Sequence, residues 1–168
     1  MQEITVIAGT NRPGSRTLQI AKQYVELLQA YPVQPHLLSL EGLDLNRRTA
    51  ELEKIENTLI IPVPKFIFIL PEYNGSFSGA VKMFIDLTRY KDCWYNKKAL
   101  LTGVAEGRGG NLRGMDHFTG VLHFLHIIVH PNKLPLSSVR ALVNEKGQIV
   151  DTTTWKSITQ QVEEFVSF

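Results

Sequence analysis

The sequence lacks several features that distinguish secreted, nucleic-acid-binding and membrane proteins. Its 168 residues include one cysteine, Cys93, so no disulfide forms within the chain and nothing indicates an oxidising compartment. Lysine and arginine number 18 against 16 acidic residues, without the basic stripe and interleaved aromatic residues of a nucleic-acid-binding protein. The longest apolar runs, such as residues 66–70, fall far below the roughly 20 residues of a membrane-spanning helix. We therefore expect neither nucleic acid nor membrane as a partner.

The first residues also lack the features of a signal peptide. Met1, Gln2 and Glu3 lead directly into an apolar run, without a charged start, a long apolar stretch and a small-residue cleavage site. The balance of 43% hydrophobic and 20% charged residues is ordinary for a globular protein, which we expect to be cytoplasmic. No repeat, linker or shift in composition divides the chain, so we expect one domain over residues 1–168.

Apolar runs alternate with segments of helical periodicity along the chain. The runs that predict strands lie at residues 4–9, 33–40, 66–70, 99–103 and 127–129. The segments that predict helices lie at residues 15–29, 79–89 and 112–124 and after residue 151, with a short helix at 50–57 inside a loop and a proline-rich turn at 131–135. This alternation is typical of a doubly wound α/β domain with a parallel sheet.

Three of the predicted strands are followed by unusual loops, which in a parallel sheet share the edge where ligands bind. The first loop, residues 9–17, leads into a helix and carries hydroxyl and guanidinium groups at Thr10, Arg12, Ser15, Arg16 and Thr17. Such groups at a helix N-terminus suit a phosphate, although the loop matches neither the dinucleotide fingerprint nor the P-loop. A polar loop in which Ser15 only caps the helix is the alternative.

The second loop, residues 71–76, places the aromatic Tyr73 beside residues that expose their backbone. This suits a planar ring that is stacked upon and hydrogen-bonded at its edge, whereas an ordinary Asn-Gly turn is the alternative. The third loop, residues 103–110, has four glycines in eight residues, so its backbone can approach a ligand closely unless it is merely flexible. Together the three loops predict a binding site.

The three loops resemble the signatures of the NADPH-dependent FMN reductase family. The first is similar to that family's Gly-Ser-x-Arg-x-x-Ser-x-Asn/Thr phosphate loop, with Thr10 in place of the usual serine. The second resembles a signature that continues into a Gly-x-x-Lys helix, here residues 79–82, and the third is similar to the flavin-edge loop. The resemblance extends from Ile4 to about Pro131. It implies a flavodoxin-like fold, a doubly wound five-stranded parallel sheet of order 2-1-3-4-5 with helices on both faces.

Carried over position by position, the resemblance assigns FMN-binding residues. The residues implied for the phosphate are Thr10, Arg12, Ser15 and Thr17, with Arg16 adding charge. Those implied for the isoalloxazine ring and ribityl chain are Pro71, Glu72, Tyr73, Asn74 and Gly75. Those implied to offer backbone to the pyrimidine edge are Ala105, Gly107 and Gly110. Ala105 stands where the family frequently has serine, so no side-chain hydroxyl remains there.

The resemblance also implies a function. NADPH or NADH would pass a hydride to N5 of FMN and leave, and a quinone, azo dye, free flavin or metal oxyanion would then be reduced in a ping-pong sequence. The flavin carries the chemistry, so no side chain is assigned as catalytic acid, base or nucleophile. Many relatives form dimers or tetramers that complete the flavin site, so we expect a homodimer or homotetramer.

Two other functions stay open at this point. A flavodoxin-type electron carrier would bind FMN without nicotinamide turnover, but such carriers are usually strongly acidic and this chain has a net charge of +2. A flavin-binding sensor or interaction module would also fit, and the alanine at position 105 favours it.

Some remaining residues are candidates for other chemistry. Four histidines that a metal site could use fall within fourteen residues, at His117, His123, His126 and His130. No cysteine lies nearby and the metalloprotease motif is absent, so we assign no metal site. Cys93 is expected to be an inert packing residue. Lys82 and Asp86 are four residues apart on a predicted helix, where they form either a solvated pair or a contact between subunits.

Overall fold

A computed structural model describes residues 1–168. The strands are β1 (Gln2–Ala8), β2 (Val33–Ser39), β3 (Lys65–Pro71), β4 (Lys98–Val104), β5 (Ile128–Val129) and β6 (Leu134–Leu136). The α-helices are α1 (Arg16–Leu28), α2 (Ala50–Ile55), α3 (Gly79–Leu87), α4 (Tyr90–Trp94), α5 (Leu112–Phe124) and α6 (Thr152–Ser167). A π-helical turn at Glu56–Ile60 continues α2, and a 3-10 turn occupies Val139–Ala141.

Side-chain caps fix where α1, α3 and α6 begin. The side chains of Ser15, Ser78 and Asp151 each accept a hydrogen bond from the backbone N–H three residues further along. Each bond satisfies one of the N–H groups that have no carbonyl partner inside the helix. Measured against the length and apolarity that a bilayer-crossing helix requires, every helix of this chain falls short.

The sheet is parallel and its strands follow the order β2-β1-β3-β4-β5, which confirms the predicted flavodoxin-like order. β6 was not predicted: it pairs with the end of β4, at Thr102–Val104, while β5 pairs with its beginning, at Lys98 and Ala99. The fifth position of the sheet is thus shared by two short strands. Pro131 lies between them, and because proline donates no N–H it favours the break between the two strands. Pro135 lies within β6, opposite Gly103 of β4.

Helices cover both faces of the sheet, as predicted, and each face has its own core. One core includes Ile7, Phe68 and Phe118 and lies under α3, α4 and α5. The other includes Val6 and Ile158 and lies under α1 and α6. Every residue of β3 is buried, which explains the continuous apolar run that predicted this strand.

The stretch between β2 and β3 is anchored by a buried carboxylate that the sequence did not indicate. The Glu56 side chain has no exposed surface and pairs with the guanidinium groups of Arg48 and Arg89. The backbone N–H of Arg89 also donates to Glu56 Oε1 at 2.7 Å, so α3 ends before Arg89 rather than at it. Burial alone would raise the pKa of Glu56, but the hydrogen bonds from Arg48 and Arg89 and their two charges hold it below its usual value.

Candidate functional site

The three loops meet in one open cleft of about 610 Å³. They meet because β1, β3 and β4 are neighbours in register, with Ala8 opposite Ile69 and Pro71 opposite Val104, so their carboxyl ends lie at one edge. The predicted residues that line the cleft are Arg12, Ser15, Arg16, Thr17, Pro71, Glu72, Tyr73, Asn74, Gly75, Ala105 and Gly107. Thr10 and Gly110 are buried and lie outside the lining.

One end of the cleft is built to favour an anion. Ser15 caps α1, its Oγ accepting from the N–H of Leu18 at 3.1 Å. Arg16 and Thr17 occupy the first turn, where backbone N–H groups have no carbonyl partner within the helix. The first turn contains no acidic residue, so the partial positive charge of the helix N-terminus is not neutralised there.

Thr10 lies beneath this end of the cleft rather than in its wall. Its side chain is 1% exposed, and its hydroxyl is 2.7 Å from that of Tyr73. The backbone N–H of Arg12 also donates to the Thr10 hydroxyl, at 3.3 Å. The Arg12 guanidinium stands 4.2 Å from the centre of the Tyr73 ring, a cation–π contact that joins the first and second loops.

Glu106 is a cleft residue that the residue-by-residue prediction missed. Its carboxylate binds Arg16 at 2.6 Å with one oxygen and Arg140 at 2.7 Å with the other. The signal was present, because Glu106 lies inside the glycine-rich third loop, but its partner Arg140 comes from a distant segment. The Arg16 guanidinium is therefore already paired with a carboxylate, and a bound phosphate would compete with that carboxylate for it.

The second loop is a tight turn whose backbone explains its sequence. Tyr73 and Ser76 exchange backbone hydrogen bonds of 2.8 and 3.1 Å across Asn74 and Gly75. Both central residues have positive φ, at 52° and 74°, which asparagine and glycine tolerate best. The turn holds the Tyr73 ring at the cleft, while the N–H of Glu72 donates to Val104 at 2.9 Å and anchors the start of the loop.

The third loop rests on the end of β6 and on the segment that follows it. The N–H of Ala105 donates to Leu136 and its carbonyl accepts from Val139, both at 3.0 Å. Ala105 lines the cleft, but its N–H is therefore not free to bind a ligand edge. Gly110 has a positive φ of 56°. A Cβ at this position would lie 2.5 Å from the Pro135 ring, so glycine is needed for the end of the loop to pack against Pro135.

The residues present fit the two ends of a flavin mononucleotide. Arg12, Arg16 and the start of α1 offer cations and N–H groups suited to the phosphate. The Tyr73 ring, whose centre lies 4.2 Å from the Arg12 guanidinium, offers an aromatic surface next to this cation. The backbone of Gly107, where an added Cβ would meet no atom within 4 Å, offers an accessible main chain for the edge of the ring. The volume of the cleft lies within the usual range for cofactor sites.

The other candidates from the sequence lie elsewhere and apart. His117 bonds to Ser76 at 2.9 Å, and His126 stacks on Tyr95 with ring centres 4.3 Å apart. No group of three or more histidine, cysteine or acidic side chains is arranged to hold a metal. Burial raises the pKa of the Cys93 thiol to about 12, which makes it a poor nucleophile. Lys82 and Asp86 pair within their own helix at 2.7 Å.

Comparison with known proteins agrees with this geometry. Residues 2–140 match the model of the family described as NADPH-dependent FMN reductase. An NAD(P)H-dependent FMN reductase from Pseudomonas aeruginosa is 31% identical over 58% of this chain, and the chain spans about half of that relative's length, 54%. An NADPH azoreductase from a Bacillus species is 24% identical over 87% of this chain and 83% of its own.

Among solved structures, the flavoenzyme NAD(P)H:acceptor oxidoreductase FerB from Paracoccus denitrificans superposes with a TM-score of 0.80. The match covers 99% of this chain and 96% of the other, at 20% sequence identity. At that identity the likeness establishes the fold.

Proposed function

This chain belongs to the NADPH-dependent FMN reductase family, and from that membership we propose that it is an FMN-dependent oxidoreductase that takes electrons from NADPH or NADH. The electrons pass to a small acceptor such as a quinone, an azo dye, a free flavin or a metal oxyanion. Donor and acceptor use the cleft in turn, in a ping-pong sequence.

One observation carries the proposal: three loops from neighbouring strand ends form a single cleft whose lining combines guanidinium groups, a helix N-terminus and the Tyr73 ring. In the proposal, Arg12, Ser15, Arg16 and Thr17 hold the FMN phosphate, where the helix dipole adds to the guanidinium charges. Tyr73, which Arg12 contacts, packs beside the ring system. The backbone of Gly107 faces the edge of the ring.

The chain's own contribution is binding and orientation. Bound FMN supplies the redox chemistry. The buried β-strands under the cleft hold the three loops in fixed positions, so FMN bound by these loops would leave the open side of the cleft to donor and acceptor. No side chain in the cleft is assigned to carry a proton or a covalent intermediate.

The expected homodimer or homotetramer remains part of the proposal. An apolar groove beside α3 and α5 is lined by Ile85, Tyr90, Val121 and Phe124, and Phe124 is 75% exposed. A second copy of the chain would cover it. Phe124→Asp is then expected to give monomers in analytical ultracentrifugation, whereas Ile128→Asp, exposed on the sheet edge, is expected to leave the assembly intact. Monomeric wild-type protein would contradict this assignment.

Steady-state kinetics test the proposal. Initial rates with FMN-loaded protein, NADPH and a quinone are expected to give parallel double-reciprocal lines, the mark of a ping-pong sequence. Arg16→Gln is expected to lower the rate at limiting FMN, while Arg47→Gln, an exposed arginine paired with Asp44 outside the cleft, serves as the matched control. No oxidation of NADPH with any acceptor would contradict the proposal.

A further inference from the structure

We propose that Asn111 is a positioning residue of the flavin site, which fixes the second loop against the third. The inference rests on the proposed function, because it concerns the two loops that would bind the flavin ring. Asn111 follows the third loop directly and precedes α5. It has no exposed surface, so it acts on a ligand only through the loops it holds.

The Asn111 side chain bonds to the last residues of β3. Its Nδ2 donates to the carbonyl oxygens of Leu70 at 2.9 Å and Pro71 at 3.0 Å. Its backbone N–H donates to Glu72 Oε2 at 3.3 Å. Three hydrogen bonds therefore run from one residue after the third loop to three successive residues where β3 passes into the second loop.

Two glycines make room for this side chain. A Cβ added at Gly103 would lie 3.0 Å from the Asn111 Cβ and 2.1 Å from the carbonyl oxygen of Gly110. A Cβ added at Gly114 would lie 2.0 Å from Asn111 Oδ1. The Asn111 side chain thus fits between β4 and α5 because both elements have a glycine where they face it. The φ of Asn111 is 62°, a value that asparagine adopts more readily than most residues.

Helix capping does not account for Asn111. It precedes α5 at the cap position, yet its side chain makes no capping hydrogen bond, unlike Ser15 and Ser78 at the starts of α1 and α3. Its Oδ1 is buried without a hydrogen-bond partner, which costs free energy. The amide therefore serves the two loops rather than the helix.

The loss of these bonds would affect the part of the cleft that Glu72 and Gly109 line. The two residues lie against each other there, since a Cβ on Gly109 would lie 3.6 Å from the Glu72 carboxylate. The backbone bond from Glu72 to Val104 still anchors the second loop, but without the Asn111 side chain the end of β3 loses its tie to the third loop. A site whose supporting contacts are lost binds less tightly and orients its ligand less well.

The test compares two asparagines with the same backbone conformation. Asn111→Gly keeps the left-handed backbone but removes the side chain, and Asn96→Gly does the same at an exposed position with φ of 60° before β4. FMN affinity is measured by quenching of flavin fluorescence, on variants whose circular dichroism shows them folded. We expect the Kd of Asn111→Gly to rise about tenfold, with its bound-flavin absorbance spectrum shifted toward that of free FMN, and Asn96→Gly to match wild type.

A second substitution guards against a simple packing effect. Asn111→Asp keeps the size of the side chain but loses the Nδ2 donor and brings a carboxylate near Glu72, so it is also expected to weaken FMN binding about tenfold or more. If both Asn111 variants bind FMN with wild-type affinity and spectrum, the inference is wrong while the proposed function stands. If wild-type protein binds no FMN, the proposed function fails.

Discussion

The hydroxyl of Thr10 lies 2.7 Å from the hydroxyl of Tyr73, and this bond ties the first loop to the second. The Arg12 guanidinium reinforces the link by lying over the Tyr73 ring. The first and second loops of the proposed flavin site are thus coupled through a buried threonine. We propose that Thr10 acts by holding Tyr73; the direct phosphate contact that the family resemblance implies is the alternative that two substitutions distinguish.

This relationship predicts similar effects from two different substitutions. Tyr73→Phe and Thr10→Val both delete this hydrogen bond and keep nearly the same shape, while Thr10→Val also removes the longer bond of 3.3 Å from the Arg12 N–H. Each is expected to raise the FMN Kd about three- to tenfold, the usual value of one hydrogen bond, as measured by flavin fluorescence. A much larger loss in Thr10→Val, with Tyr73→Phe close to wild type, would mean that Thr10 contacts the phosphate directly.

The ion pair between Glu106 and Arg16 predicts that the affinity for FMN depends on the charge at position 106. Because the carboxylate and a phosphate compete for the same guanidinium, Glu106→Gln is expected to tighten FMN binding, and Arg16→Gln to weaken it, each by about two- to fivefold, as befits a partly exposed pair. FMN titrations at low and high salt test whether charge is the cause, because salt screens the interaction and reduces the effect of both substitutions on affinity. Unchanged affinity in both variants would exclude this competition.

The buried Glu56 predicts a large loss of stability on neutralisation. Glu56→Gln leaves Arg48 and Arg89 without their counter-charge, and because both arginines are partly exposed we expect the free energy of unfolding to fall by about 2 kcal/mol. Urea denaturation measures it. Asp86→Asn, which breaks an exposed pair with Lys82, is the control and is expected to change stability by less than about 0.5 kcal/mol. Similar small losses in both would show that the buried network is not stabilising.

His130 predicts a stability loss at mildly acidic pH. Burial against Phe165 and Phe168 lowers its pKa below the ordinary value of 6.5, with a further lowering by Lys65 that opposes the effect of Glu164. The unfolded chain then binds the proton more tightly than the folded one. The His130 contribution is therefore complete above pH 6.5 and is lost as the pH falls through that value toward the folded pKa.

The measurement is a series of urea midpoints between about pH 7.5 and pH 5.5. His130→Gln, which cannot titrate, is expected to show a smaller decline across this range than wild type. Parallel declines in the two proteins would assign the acid sensitivity to other groups.

The sequence was sufficient where the signal is local. The apolar run of β3 and the three loops after β1, β3 and β4 predicted both the parallel sheet and the edge that carries the cleft. The bounds of α5 were also predicted correctly at residues 112–124, since its periodicity and flanking residues lie within one stretch.

Features that depend on distant partners were missed. The burial of Glu56 requires Arg48 and Arg89, and the pairing of β6 with β4 joins residues about thirty positions apart. The burial of Thr10 and Asn111 was missed for the same reason. A threonine or asparagine in a polar loop indicates nothing about burial, and its partner is known only when the strands are in register.

An anaerobic titration of FMN-loaded protein with NADPH tests the central claim most directly. The visible absorbance of the bound flavin reports its redox state. The account predicts that NADPH bleaches the flavin in stoichiometric amounts and that an added quinone restores the colour. A flavin that stays bound but keeps its oxidised spectrum in excess NADPH and NADH would contradict the proposed reductase.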